Sequence, residues 1–386
     1  MNQQAGSLPQ TTGTELPPNV VRLSPDQLRA GIQAAKRHFG RRLVILGHHY
    51  QQDEVIQFAD FVGDSLKLSQ LAAAQSDAEF IVFCGVHFMA ESADILTTDR
   101  QAVILPDLAA GCSMADMAHA DQAEAAWELL APWADIPITP ITYVNSSAAV
   151  KAFVGRNDGA CCTSSNAKMV LEWALHGARP LARSGHKVLF LPDQHLGRNT
   201  AYALGWPLES MLLYDPDLPD GGLTREQVRA ARFILWKGHC SVHQLFNTQQ
   251  IAALRAASEP WRIIVHPECP WEVCQQADEV GSTEYIVKAV HESPAGSYWA
   301  IGTEVHLVNR LANTMPDKHI RLLAGVQCLC STMFRIDLPH LYWVLDRLLH
   351  GEVVNRIAVE PETRRWASIA LQRMLELRPT RPVSAK

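Results

Sequence analysis

The chain has no apolar run approaching the ~18 residues that a membrane span needs. It has no basic cluster, and its formal net charge of −6 argues against nucleic acid or an anionic membrane as partner. There is no G-x-G-x-x-G turn and no Walker A loop, so neither nucleotide fingerprint is present. No two cysteines are spaced C-x-x-C, the knuckle that structural zinc sites usually use. Residues 1–21 lack both regions of a secretion signal and read as a disordered tail. Nine cysteines, an odd number, then fit a reducing cytoplasm better than a disulfide framework. The expectation is a cytoplasmic enzyme with no nucleic-acid or membrane partner. A length of 386 residues suggests two or three domains.

What is present is a pattern that occurs three times. VILPDLAAGC ends at Cys112, FILWKGHC at Cys240 and LLAGVQCLC at Cys330. Each is an apolar run, a Gly-containing turn and a thiol. Upstream, RLVILGHHY, IPITPITYVN and WRIIVHPE are short β-rich runs that stop at polar residues. GDSLKLSQ, CTSSNAKMV and GSTEYIVKA follow, with Ser or Thr where a helix should start. A third landmark places His87, His195 and His306 in matching runs. His48 to Cys112 and His266 to Cys330 are both 64 residues apart, which favours Cys330 over Cys328. The middle copy carries about twenty extra residues near 205–228. Helical stretches such as DEVIQFADFV, SSAAVKAFV and WEVCQQADEV alternate with the strands, as in parallel βαβ sheets. The reading is α/β: three similar α/β/α domains with small parallel sheets around a central cavity. Their expected bounds are 22–118, 119–243 and 244–334, with 335–386 as C-terminal helices packing back on the body.

The strand ends carry the candidate chemistry. His48 and Tyr50, Tyr143 and Asn145, and His266 and Glu268 each stand two residues apart, so each pair leaves an extended strand on one side. His and Glu carry protons, and Tyr acts as acid or anchor. Ser65, Ser164, Ser282 and Thr283 mark helix starts, where free N–H groups favour carboxylates or phosphate. Three thiols without a fourth ligand suggest an iron–sulfur cluster with one open iron. Zinc on three cysteines and a histidine is the alternative. Cys84, Cys161, Cys269 and Cys274 read as buried hydrophobes, and Cys162 fits either role.

From Leu43 to Met333 the chain resembles the quinolinate synthases. The shared motifs are GHHYQ at 47–51, GDSL at 63–66, GVHFMAES at 85–92, YVNSSA at 143–148, CTSSNA at 162–167, LPDQHLGRNT at 191–200, WKGHCSVHQLF at 236–246, VHPE at 265–268, GST at 281–283 and IGTE at 301–304. CSTM at 330–333 resembles that family's C-x-x-M, although Cys328 stands close by. The resemblance implies condensation of iminoaspartate with dihydroxyacetone phosphate to quinolinate, phosphate and water, in de novo NAD biosynthesis. It implies one 4Fe–4S cluster with an open iron on Cys112, Cys240 and Cys330, and a functional link to an enzyme that supplies iminoaspartate. Glu268 would be the general base, its pKa raised toward neutrality by burial. Tyr50 and His48 would move protons or orient the triose part. Tyr143, Asn145 and His266 would hold substrate oxygens, Ser65, Ser164, Ser282 and Thr283 carboxylates or phosphate, and His243 would stand behind the cluster. The rival readings are an iron–sulfur hydro-lyase acting on another small polyacid, and a sensor without catalysis.

Overall fold

The computed structural model describes residues 15–176, 185–325 and 328–377. The first sheet takes β1 (Leu43–His48), β2 (Phe61–Gly63), β3 (Phe80–Cys84) and β4 (Ala102–Ile104). The second takes β5 (Ile138–Tyr143), β6 (Ala160–Cys162), β7 (Lys187–Leu191), β8 (Met211–Tyr214) and β9 (Phe233–Trp236). The third takes β10 (Arg262–Val265), β11 (Glu279–Val280), β12 (Tyr298–Gly302) and β13 (His319–Leu322). Their spatial orders are β2-β1-β3-β4, β6-β5-β7-β9 and β11-β10-β12-β13, one parallel order used three times. The central strands are buried along their length, as strands covered on both faces must be. The extra residues near 205–228 supply β8, a fifth strand parallel to β9 at the sheet edge.

A small device shows how the repeat is kept. The Ile45 N–H donates to Asp60 Oδ2 at 2.8 Å, and the Ile263 N–H to Asp278 Oδ2 at 2.7 Å. In the second sheet the register puts Pro140 at that place and Gly159 opposite. Proline has no N–H to satisfy, so no carboxylate is needed. A Cβ on Gly159 would lie 1.9 Å from the Pro140 carbonyl oxygen, so only glycine fits.

Two expected helices are shorter than their pattern. Asp53–Ile56 and Trp271–Gln276 are helical, but β2 and β11 take the rest of each stretch. Asp60 and Asp278 stop the helical pattern by bonding across to β1 and β10. Inside the expected tail, Pro18–Val21 forms a helical turn, with Pro18 in its first turn and Val20 buried; residues 1–14 lie outside the described residues.

The C-terminal segment packs on the first two sheets' units. Helix Leu338–Leu349 lies on Pro25–Phe39. Strand β14 (Arg356–Ile357) then runs antiparallel to β4. Helix Pro361–Glu376 lies so close to Ala148–Arg156 that a Cβ on Gly155 would meet the Trp366 carbonyl oxygen at 2.0 Å. One apolar cluster runs through the first two sheets and these helices, while two smaller ones flank the third sheet. Among the described residues no helix is long and apolar enough to cross a membrane.

Candidate active site

In an open parallel sheet ligands bind beyond the carboxyl ends of the strands, where the strand order reverses. Here that point falls after β1, β5 and β10, the second-placed strand of each sheet. His48 ends β1, Tyr143 ends β5 and His266 follows β10. Tyr50, Asn145 and Glu268 come two residues later. All six line a single cavity with about 660 Å³ of space, part of it open to solvent. Ser65, Ser164, Thr283, Cys112, Cys240 and Cys330 line it too.

Two expectations need correction, those on Ser164 and His87, and Ser282 is placed as a cap. Ser282 is the N-cap of helix Thr283–Glu292, accepting from the Tyr285 N–H at 3.3 Å, and is not among the cavity-lining residues. Ser164 stands three residues before its helix, which begins at Ala167. It reaches the cavity from a turn in which Asn166 Oδ1 accepts the Thr163 N–H at 2.8 Å. His87 is not equivalent to His195 and His306. Helices His87–Leu96, Gln194–Ala203 and Val305–Thr314 follow β3, β7 and β12. Their first N–H groups, on His87, Gln194 and Val305, donate to Ala110, Gly238 and Cys328, each two residues before a cysteine. The true partner of the two histidines is therefore Phe88, which faces the cavity.

The three cysteine turns match in detail. The carbonyls of Cys112, Cys240 and Cys330 accept from Asp116, Gln244 and Phe334, four residues on, at 3.1, 3.0 and 3.0 Å. A 3₁₀ turn begins three residues after each, at Ala115, His243 and Met333. Backbone N–H groups at the starts of these turns favour the thiolate form of all three sulfurs. These three cysteines are half-buried, and the other six are buried. Cys328 points into the third unit's core, and Cys162 lies inside β6. Among the described residues, one group of possible ligands has its atoms within 4.8 Å of one another: Cys240, His243 and Glu268. The sulfurs of Cys112, Cys240 and Cys330 are thus not all within 4.8 Å of one another, wider than one tetrahedral zinc with Zn–S bonds of about 2.3 Å would set them. Three spread sulfurs with aimed N–H groups suit a cluster with several irons. Burial pushes the thiols up, Cys112 to about 12, so occupation must be coupled to proton release.

Hydrogen bonds set the protonation of the strand ends. His48 Nδ1 accepts the Tyr50 N–H at 3.1 Å, and His266 Nδ1 accepts the Glu268 N–H at 3.3 Å. Both rings therefore carry their proton on Nε2. Burial pushes each down to about 3, so both are neutral N–H donors at pH 7. His266 Nε2 donates to Ser164 Oγ at 3.2 Å. The Tyr50 hydroxyl shares hydrogen bonds with Thr283 and Thr303 at 3.0 and 2.8 Å.

Glu268 differs from expectation. Burial does favour its neutral form, but His266, His243 and hydrogen bonds from His243 and Tyr143 outweigh it and bring the carboxyl down to about 2. At the pH where this carboxyl titrates His266 is itself protonated, and its charge is the largest of the lowering influences. His243 Nδ1 lies 2.8 Å from Glu268 Oε2 without full hydrogen-bond alignment, and its Nε2 meets Thr303 Oγ1 at 3.1 Å. His243 thus stands between Cys240 and Glu268.

Sequence reading passed over Asp64, Thr303 and Glu304. Asp64 caps the helix opened by Ser65 and accepts from Ser165 Oγ at 2.7 Å. Glu304, wholly buried, caps Val305–Thr314 and accepts from His306 N at 2.7 Å. Both lie inside motifs already noted, GDSL and IGTE, but each is masked there by a neighbouring hydroxyl.

A family model described as quinolinate synthetase A protein matches residues 30–376. A protein named quinolinate synthase from a Nocardioides species is 56% identical over 95% of this chain and 93% of its own length. One so named from Anoxybacillus flavithermus is 54% identical over 93% and 96%. Another from Streptomyces coelicolor is 54% identical over 95% and 92%.

Proposed function

The chain belongs to the quinolinate synthetase A family and is an enzyme of quinolinate formation in NAD biosynthesis, and on that premise we propose that it condenses iminoaspartate with dihydroxyacetone phosphate. Phosphate and water are the other products. The observation that carries this reading is the meeting of three matched strand ends, three hydroxyls and three cysteine turns on one cavity.

The neutral imidazole of His48 donates from Nε2 to carboxylate or carbonyl oxygens of the substrates, and that of His266, giving its Nε2 proton to Ser164 Oγ, turns the serine hydroxyl toward them. Ser65, Ser164 and Thr283 add hydroxyl donors, and Ser65 and Thr283 do so at the first residues of helices, where anions are favoured. Tyr143 and Asn145 hold oxygens at the second unit's strand end. Glu268, ionised and acceptor-only, takes the proton from the carbon that becomes an enol. Tyr50 orients the triose part from a hydroxyl fixed by two threonines. A 4Fe–4S cluster on Cys112, Cys240 and Cys330 would supply Lewis acidity from an iron without a protein ligand. The apolar wall of Val86, Phe88, Met89 and Met114 keeps water from the reacting groups. A second enzyme supplying iminoaspartate is the implied functional partner, and the cytoplasm the implied compartment.

The test is anaerobic purification, counting of iron and sulfide, and simultaneous assay of quinolinate and phosphate. Equal release of both supports the reading. Quinolinate without phosphate release from the triose would overturn it.

A further inference from the structure

Helices Gln194–Ala203 and Val305–Thr314 follow equivalent strands, and their sixth residues are Asn199 and Arg310. Each reaches out of its own unit. Asn199 Nδ2 donates to the carbonyls of Pro267 and Cys269 at 2.8 and 2.9 Å, the residues just before and just after Glu268. Arg310 donates to the carbonyls of His49, at 2.8 Å, and Gln51, the residues just before and just after Tyr50, while its Nε pairs with Asp53 at 2.6 Å. Two carbonyl acceptors fix which end of the Asn199 amide faces them. Second unit grips third, and third grips first. The remaining seam is made differently. The sixth residue of His87–Leu96 is Ser92, which bonds back to its own helix at Phe88. Its neighbour Glu91 takes the Ala148 N–H at 2.9 Å, and Lys151, from the second unit itself, bonds the Ser146 carbonyl beside Asn145.

We propose that Asn199 and Arg310 are positioning residues that fix Glu268 and Tyr50, each by holding from the neighbouring unit the carbonyls of the residues on either side. Neither faces the cavity, so neither touches substrate. The proposal rests on the assignment of Glu268 and Tyr50 to the reaction. A strand-end side chain is aimed by its own peptide planes, and a displacement of about 1 Å costs roughly 100-fold in rate. Each grip also crosses a seam between units, so the aim of the side chain depends on ring closure.

A double-mutant cycle separates positioning from general stability. Asn199→Ala should lower kcat about 10- to 100-fold, with KM and the cluster's absorbance little changed. In a Glu268→Gln background the same change should lower kcat no further, because the group it aims is already disabled. Multiplying effects, or a wild-type kcat for Asn199→Ala, would overturn the proposal. Near wild-type turnover of Glu268→Gln alone would instead sink the assignment of the base, so the two failures are distinguishable. If Asn199→Ala does not fold, Arg310→Lys decides. It keeps the charge near Asp53 but not a fork for two carbonyls. Its loss in kcat should vanish in a Tyr50→Phe background, and persistence of the full loss there would reject the idea.

Discussion

At Glu268, burial is opposed first by the neighbouring imidazoles and then by hydrogen bonding, and these together prevail. The carboxylate is therefore ready to accept a proton at pH 7 without titrating there. Glu268→Gln keeps shape and size but loses the base, so turnover should fall about 100-fold or more. Substrate should still perturb the cluster's visible spectrum. Near-normal turnover would move the base to Tyr50 or His48. The cysteines give a second prediction. Serine at Cys112, Cys240 or Cys330 should abolish bound iron after anaerobic purification, while Cys328→Ser and Cys84→Ser keep it. Iron retained by all three single variants would reject the ligand set. Much of this was legible in sequence, because period-2 alternation at a strand end fixes which side chains share a face. The charge state of Glu268 was not legible, since it depends in part on Tyr143 and His243, which arrive from the second unit. Nor was the mismatch of His87, whose spacing to its cysteine exceeds that of His306 by one residue.

Among elements, the three sheets repeat one order, and the exceptions explain themselves. Asp60 and Asp278 satisfy N–H groups that Pro140 does not possess. Asp278→Ala strands the Ile263 N–H between β10 and β11, and should cost about 1–3 kcal/mol in urea unfolding. A stability unchanged within error would mean that water replaces the carboxylate. Gly155→Ala should cost more, about 3 kcal/mol, because both facing groups are backbone and neither helix can rotate away. Helix Ala148–Arg156 and the central strands were readable from apolar pattern. The ends of Asp53–Ile56 and Trp271–Gln276 were not, since Phe-Val and Glu-Val fit helix and strand equally until a neighbouring strand offers pairing. The fifth strand β8 was hidden in a stretch rich in Pro, Gly and Asp that reads as loop.

For the whole molecule, the units meet through polar seams around the cavity. Glu284 of the third unit meets His49 at 3.0 Å and Lys67 at 3.6 Å in the first. The hydrogen bond to His49 is the largest influence, and it holds the Glu284 carboxyl down at about 2, against an ordinary 4.5. A depressed carboxyl stabilises the fold fully above its unfolded value, and that contribution is lost as pH falls from about 4.5 toward 2. The group is about a third exposed, so solvent screens much of its worth. Glu284→Gln should flatten acid unfolding in that window, followed by tryptophan fluorescence, by lowering stability modestly at neutral pH while leaving it little changed near pH 2. An identical acid profile for both proteins would show the seam to be electrostatically idle. The close contact of Gly155 with Trp366 also sets a schedule for the ribosome. The two partners are separated by about 200 residues of chain, which at roughly 5–20 residues per second is some 10 to 40 s of translation. For that interval the nascent second unit presents an uncovered helix face, and the first sheet an unpaired edge at β4. Nascent chains of this protein should therefore be chaperone clients until residues 338–376 emerge.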